Sequence, residues 1–275
     1  MTDSRPDLAL KALAEFWADM GLEEARALTI PRPAAAAAQR PSFAQPRQAE
    51  RPPGSPRPEP RRLNNNPVAD ARRLAMAATT LGELRTAVER FNGCPLKQAA
   101  KNTVVCDGAF DAEVMIVGEA PGGDEDIQGL PFVGRAGKLL DKMLAAIGLS
   151  RQTNVYITNL VYWRPPGNRD PSTAEMQVCA PFLQRQIELK APRLLLTAGK
   201  FATQAMLGSE DGIMRLRGRK LRYTQEGLPK PIPCIPLLHP AYLLRRPEDK
   251  AKAWDDLRVV ATLCDELGVK REGAL

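Results

Sequence analysis

The chain has 275 residues, of which 44% are hydrophobic and 26% charged, and its formal net charge is +7. This length allows one sizeable α/β domain with extensions, and no apolar run approaches membrane-spanning length. The N-terminus is acidic and amphipathic, so it does not resemble a signal peptide. The five cysteines are scattered and odd in number, which indicates reduced thiols and a cytoplasmic location.

The charge is unevenly distributed along the chain. Residues 1–30 carry 3 basic and 6 acidic side chains, and residues 31–67 carry 7 arginines and 2 glutamates. Residues 68–275 carry 29 basic and 24 acidic side chains. A mildly basic domain behind a basic segment suits a polyanionic partner, although many basic proteins bind no nucleic acid.

The N-terminal part divides into a helical segment and a linker. Residues 8–28 have apolar side chains at helical spacing, which predicts a short amphipathic helix within a segment 1–30. Residues 31–67 hold 10 prolines and predict a disordered linker, and residues 68–275 have the pattern of a globular domain. Because so short a helix is marginal in water, its apolar face must either fold back on the domain or dock on another protein.

Strand and helix patterns alternate in the predicted domain. A helical pattern covers residues 70–91. Four apolar runs follow at residues 114–118, 155–159, 193–199 and 232–238. Helical patterns cover residues 136–147, 172–189, 200–207 and 247–267. This alternation predicts an α/β fold with a parallel sheet covered on both faces, whose ligands bind beyond the carboxyl ends of the strands.

The segment after the first strand is rich in glycine. It reads GEAPGGDEDIQGLPFVGRAGKLL over residues 118–140, and the glycines permit tight turns ahead of a helix N-terminus that can bind an anion. Neither the P-loop lysine pattern nor G-x-G-x-x-G spacing is present. Phe132 lies between Pro131 and Val133, where it either presents a face to a base or fills the core.

Polar residues follow the second strand as well. Asn159 at the strand end offers an amide that can both donate and accept at a base edge. The loop WRPPGNRDP then brings Arg164, Asn168 and Arg169 together, unless it is only a proline-stiffened surface loop.

The fourth strand is followed by His239, the one histidine of the chain, in the sequence LLHPAYLLRRP. A lone histidine is usually structural, but this one follows a buried strand and precedes proline. Apolar residues next to Arg245 and Arg246 suit a loop that inserts a leucine into a base stack while arginines hold phosphates. The alternative is that Leu243 and Leu244 form the first turn of the last helix.

Four stretches of the chain occur in a recognisable order: GEAPG with PFVG, YITN, RPPGNR and HPAYLLR. Together they resemble the motifs of family-4 uracil-DNA glycosylases, over roughly residues 94–267. The resemblance implies a three-layer α/β/α sandwich around a four-stranded parallel sheet. It also implies hydrolysis of the N-glycosidic bond of deoxyuridine in DNA, as in base excision repair, with the base flipped out of the stack. We expect a cytoplasmic, nucleoid-associated monomer that acts on uracil-containing DNA without a cofactor, with a protein partner for the N-terminal segment as one alternative.

The resemblance assigns roles to the residues of this site. His239 would donate to the charge on the leaving uracil from a neutral imidazole, Asn159 would read the N3–H and O4 edge, and Phe132 would stack on the base. The predicted DNA contacts are Leu243 as wedge with Arg164, Arg169, Arg245 and Arg246 at phosphates.

The attacking water has no obvious partner in this sequence. Ala120 stands where the best-known glycosylase branch has an aspartate that orients water, so Glu119, Asn168 or backbone groups must do so. Glu125 is our candidate for crowding the methyl group of thymine.

The cysteine pattern departs from the family, which usually holds an iron–sulfur cluster on four cysteines. Cys94 and Cys179 match one member of each cysteine pair, whereas Phe91 and Trp163 occupy the other two positions. Two thiolates are too few for the cluster, so we expect no metal and apolar packing in its place.

Two other functions compete with this interpretation. One is a non-catalytic DNA-binding or lesion-sensing module on the same fold. The other is a nucleotide-binding hydrolase, which is disfavoured because the sequence has no metal-ligand or Walker-type arrangement.

Overall fold

The computed structural model describes residues 66–272. The predicted amphipathic segment 1–30 and the linker 31–67, apart from its last two residues, lie outside the described residues. Within residues 66–272, no helix is long and apolar enough to cross a membrane.

Four parallel strands form the centre of one sheet, as predicted. The strands are β1 (Asp107–Gly108), β2 (Val114–Gly118), β3 (Val155–Asn159), β4 (Leu194–Ala198), β5 (Leu221–Tyr223) and β6 (Ile232–Leu237). Their order is β1-β3-β2-β4-β6-β5, with β3, β2, β4 and β6 parallel and the edge strands β1 and β5 antiparallel to their neighbours. The edge strands were not predicted, because two or three residues are too few to show a strand period.

The helices are α1 (Pro67–Ala77), α2 (Leu81–Arg90), α3 (Gly123–Gln128), α4 (Arg135–Ala145), α5 (Thr173–Lys190), α6 (Lys200–Leu207), α7 (Ile213–Leu216), α8 (Pro240–Arg245) and α9 (Lys250–Leu267). The single helix expected over residues 70–91 is two helices. Ala78 is extended, and the Thr80 side chain accepts the Glu83 N–H (3.2 Å), so that it caps α2. Apolar residues keep their helical spacing across this break, so the sequence pattern did not show where the first helix ends.

Each buried strand packs side chains on both faces of the sheet. In β2, Val114 and Ile116 join the core beneath α4, α8 and α9, whereas Met115 and Val117 join the core beneath α1, α2 and α5. This alternation is the two-residue period of a strand that is buried on both sides. The three-layer α/β/α sandwich is therefore confirmed.

The carboxyl ends of the parallel strands meet at one edge of the sheet. Gly118 at the end of β2 is in register with Asn159 at the end of β3. The chain leaves β4 through Gly199 and leaves β6 through Leu238 and His239. The predicted site residues are therefore brought to a common edge by the sheet topology.

Candidate active site

A cleft of about 480 Å³ lies at this edge. It is lined by Glu119, Ala120, Pro121 and Gly122 after β2; Pro165, Asn168, Arg169 and Asp170 after β3; Gly199, Lys200 and Phe201 after β4; Ile213 of α7; and Leu238, His239, Ala241, Tyr242 and Arg245 after β6. A larger groove of about 1020 Å³, between α1 and α5, contains none of the predicted site residues. The cleft at the strand ends is therefore the candidate active site.

His239 is held as a neutral donor. It precedes α8, and its Nδ1 accepts the backbone N–H of Ala241 at 3.1 Å, so the ring proton is on Nε2. Burial, with a smaller effect of Arg245, lowers the pKa of His239 to about 4, and Glu125 opposes the shift. At neutral pH the imidazole is thus uncharged and can donate from Nε2.

Asn159 and Phe132 lie behind the cleft rather than on its open wall. Both are nearly buried, and the Oδ1 atom of Asn159 is buried without a hydrogen-bond partner. A Cβ on Gly118 would lie 2.3 Å from this oxygen and 2.6 Å from the ring of Phe132, so glycine is what lets the two side chains meet. The Phe132 ring centroid is 5.6 Å from that of His239. The structure therefore brings the predicted base-binding residues together, although the ring of Phe132 also packs in the core beneath α4.

The backbone of Phe132 is strained. Its φ angle is +54°, in the left-handed region, which costs a non-glycine residue about 1–3 kcal/mol. Glu125 supports one side of this loop, because its carboxylate accepts the N–H groups of Val133 and Gly134 (both 3.0 Å) and of Gly122 (3.1 Å). These three bonds define a loop-shaping role for Glu125, and the crowding of a thymine methyl by this residue stays a prediction.

Glu119 and Asn168 differ in their suitability to handle a proton. Glu119 is half-buried on the cleft wall, and burial, followed by the charge of Asp170, raises its pKa to about 7. Asn168 is exposed, and its Oδ1 accepts the Nε–H of Arg164 at 2.7 Å. A carboxylate on the cleft wall whose pKa is raised toward neutrality is a better proton acceptor than an amide, so Glu119 is favoured over Asn168 as the candidate base.

Three of the four predicted phosphate-binding arginines have partners within the protein. Arg169 binds Glu175 through both terminal nitrogens, at 2.9 and 2.7 Å, and lowers the pKa of that carboxyl to about 2. Arg246 pairs with Glu248 at 2.5 Å. Arg164 lies 4.0 Å from Asp126 as well as bonding Asn168.

Arg245 differs from these three arginines. It lines the cleft and has no carboxylate partner within the described residues. Its guanidinium is therefore available to a phosphate.

The assignment of Leu243 as a wedge is corrected. Residues 240–245 form α8, which turns Leu243 into the core beneath α4 and α9, where it is fully buried. A core side chain cannot enter a base stack without unpacking the helix. Leu244 is partly exposed on the same helix and takes the place of Leu243 as candidate.

Two residues near the site, Lys200 and Arg151, were not predicted from the sequence. Lys200 is exposed at the cleft after β4, and the rule that all parallel strands end at the same edge would have found it. Arg151 is a buried guanidinium that donates to the backbone of the Phe132 loop. No local signal in GLSRQTN pointed to that contact.

The residues around Cys94 and Cys179 do not fit a four-thiolate cluster. The neighbouring Cys94 thiol, together with burial, raises the pKa of Cys179 well above its usual range. Phe91 and Trp163 are buried nearby with their ring centroids 6.5 Å apart. In the part of the chain that the structure describes, no group of three or more His, Cys, Asp or Glu could hold a metal ion.

The fold and the site together define a class of protein. A parallel α/β sandwich whose strand ends assemble a neutral histidine, a buried amide oxygen without a partner and an aromatic ring is suited to binding a planar heterocycle. The family model of the Uracil DNA glycosylase superfamily matches residues 106–258. The chain belongs to that superfamily.

Relatives in the same superfamily carry a more specific name. The type-4 uracil-DNA glycosylase of Archaeoglobus fulgidus is 42% identical over 175 residues, which are 62% of this chain and 86% of the relative. That of Saccharolobus solfataricus is 42% identical over 178 residues, 63% of this chain and 81% of the relative. That of Thermotoga maritima is 40% identical over 159 residues, 58% of this chain and 80% of the relative.

Proposed function

We propose that this protein is a uracil-DNA glycosylase, which hydrolyses the N-glycosidic bond of deoxyuridine in DNA and so starts base excision repair. The observation that carries the proposal is the buried Oδ1 of Asn159, which has no partner and lies close to Phe132 and Gly118 beside the neutral His239. The names of the type-4 relatives agree with this activity.

Recognition of uracil follows from the amide of Asn159. Its Oδ1 accepts the N3–H of uracil, and its Nδ2 donates to O4. Cytosine presents an acceptor at N3 and a donor at C4, so it leaves both groups of the amide unpaired. Each unpaired buried group costs about 1–3 kcal/mol, which is enough to reject cytosine. Phe132 provides the face on which the flipped base stacks.

Bond cleavage requires a place for the negative charge that develops on the leaving uracil. His239 is a neutral imidazole at neutral pH because its pKa is lowered to about 4, and its Nε2–H donates a hydrogen bond to that charge. The sugar passes through an oxocarbenium-like state that water attacks. Glu119 accepts the proton of this water, and uracil leaves as its anion, which takes up a proton from solvent. The products are free uracil and an abasic site.

DNA is held at the rim of the cleft. The unpaired guanidinium of Arg245 and the exposed ammonium of Lys200 contact phosphates on either side of the flipped nucleotide. Leu244 fills the gap that the base leaves in the stack.

The proposal is tested with an oligonucleotide that carries one uracil, incubated with the full chain and then cleaved with alkali. We expect strand breakage at uracil, and none at cytosine or thymine in matched oligonucleotides. If the protein binds the uracil-containing strand but alkali then causes no breakage, the protein is a non-catalytic DNA-binding module and the proposal is overturned.

The extension before Asn66 has a separate proposed role. The amphipathic segment 1–30 docks on another protein through its apolar stripe, and the arginine-rich linker adds DNA attraction that salt weakens. We further propose that the glycosylase itself works as a cytoplasmic, nucleoid-associated monomer. Deletion of residues 1–65, which keeps the α1 cap Asn66, should leave excision from a short oligonucleotide nearly intact. Loss of excision would assign the extension to the catalytic body.

A further inference from the structure

Arg151 connects three parts of the molecule from a buried position. It lies between α4 and β3, and its side chain is only 9% exposed. Its Nε donates to Asp141 (2.8 Å) and its Nη1 to Asp107 (2.7 Å). The same Nη1 donates to the carbonyl of Pro131 (3.1 Å), and Nη2 donates to the carbonyl of Phe132 (2.7 Å). Every nitrogen of the guanidinium is therefore used, and two of them bind one loop.

That loop is the one in which Phe132 has a φ of +54°. Its carbonyl groups point to the cation of Arg151, and the N–H groups of Val133 and Gly134 point to the carboxylate of Glu125. Charges of opposite sign on the two sides of the loop stabilise the orientation of its peptide dipoles. The strained backbone is thus held from both sides.

The carbonyl of Phe132 also lies directly against α4. A Cβ on Gly137 would be 1.8 Å from this oxygen, so the helix has no room for a side chain there. The oxygen is therefore confined between Gly137 and the Nη2 of Arg151, and movement of this carbonyl would turn the peptide that carries the ring of Phe132.

We propose that Arg151 is a positioning residue, which keeps Phe132 in the strained conformation that presents its ring to the flipped base. This inference rests on the proposed function and deepens it. Lysine cannot replace the guanidinium, because an ammonium group cannot bind two carboxylates and two neighbouring carbonyls in one plane.

The first test compares Arg151→Lys with the wild type in steady-state excision of uracil. We expect a loss of kcat of about 10- to 100-fold with KM little changed, because misplacement of a reacting base by about 1 Å costs up to roughly a hundredfold. Neither Arg245 nor Lys200 takes part in the hydrogen bonds that this substitution alters, so binding of DNA should be retained. A wild-type kcat in Arg151→Lys would overturn the inference while leaving the proposed function intact.

The second test asks whether Arg151 acts through the ring. In a Phe132→Ala background, Arg151→Lys should lower kcat by about twofold or less, since the side chain that it positions is gone. Gly137→Ala, which displaces the same carbonyl, should show the same dependence on Phe132. Equal fold-losses with and without the Phe132 ring would show that Arg151 serves general stability only.

Arg185→Lys is the matched control. Arg185 also binds a backbone carbonyl, that of Ala78 (3.0 and 2.9 Å), and a carboxylate, Glu188 (2.9 Å), but outside the cleft. It should lower the melting temperature without lowering kcat.

A crystal structure of Arg151→Met supplies a readout that does not depend on activity. We expect Phe132 to leave the left-handed region. A φ that stays near +54° in this variant would overturn the inference, whereas a wild type that fails to excise uracil would overturn the proposed function instead.

Discussion

The cleft and the aromatic cluster of Phe91, Tyr162, Trp163 and Phe182 are built in opposite ways, although Trp163 is only two positions before Pro165 of the cleft wall. In the cluster the rings are buried, with centroids 5.1 to 6.5 Å apart, and the Nε1–H of Trp163 donates to Thr103 at 3.0 Å. Directly behind the cleft, Asn159 has an oxygen without a partner and Phe132 is strained, and on the cleft wall Glu119 is half-buried near Asp170.

The packed aromatic cluster therefore stabilises the folded protein, whereas the strain and the unpaired oxygen beside the cleft destabilise it. The cluster anchors residues 160–163, and the loop that follows them forms one wall of the cleft. Strain and unpaired groups persist only where surrounding structure holds them, and Arg151 and Glu125 hold the strained loop of Phe132. We therefore expect substitutions in the two regions to have opposite effects on stability and catalysis.

The largest effect should come from Trp163→Ala in the cluster. Loss of a fully buried tryptophan costs about 3–5 kcal/mol, and urea denaturation should show this decrease in the free energy of unfolding. Trp163→Phe keeps most of the packing and should lose much less stability.

Elemental analysis of the wild type should find no stoichiometric iron, because the aromatic cluster fills the place of a metal site. A full iron complement would contradict this interpretation.

His239→Ala should lower catalysis strongly and leave the stability of the fold nearly unchanged. Removal of one positioned donor lowers turnover by roughly 10²- to 10³-fold, while affinity for DNA, measured with a non-cleavable analogue, changes little. Near-normal turnover of this variant would remove His239 from the mechanism. Thermal unfolding of the same preparation verifies that the fold is intact.

Glu119→Gln should lower kcat by about a hundredfold at pH 8, because a general base is lost. In the wild type kcat should rise with pH through about 7, as Glu119 loses its proton, and in the variant this rise should be absent. A pH profile identical in both proteins would exclude Glu119 as the base.

The stability of the wild type relative to Glu119→Gln should fall as pH rises, although kcat of the wild type rises. The folded-state pKa of Glu119 is raised, so its stabilising contribution is present below about pH 4.5 and is lost as pH rises through about 7. Glu119→Gln should therefore gain stability relative to the wild type between about pH 5 and pH 8. A constant difference would indicate that the pKa of Glu119 is not raised.

The smallest effect distinguishes two neighbouring leucines. Leu244→Ala should slow excision from duplex DNA by roughly tenfold and leave single-stranded DNA nearly unaffected, because only a duplex must be opened. Leu243→Ala should instead cost about 2–5 kcal/mol of stability, since it leaves a cavity in the core. Equal loss on both DNA substrates in Leu244→Ala would argue against a wedge.

The sequence alone determined the features that depend on local pattern. The strand runs at 114–118 and 155–159, the helical periods between strands, and the placement of Asn159 and His239 after buried strands all follow from spacing and polarity. They are predictable because the side-chain period of a strand or helix is set by its own backbone.

Only the tertiary structure decided the features that depend on contacts across space. The phase of α8 directs Leu243 inward and leaves Leu244 partly exposed, which a string of two leucines does not reveal. Arg151 meets the Phe132 carbonyl 19 positions away in the chain, and Glu119 acquires its raised pKa from burial and from Asp170. Hydrogen bonds and electric fields act over a few ångströms of space whatever the distance along the chain, so these properties appear only when the sheet brings its strand ends together.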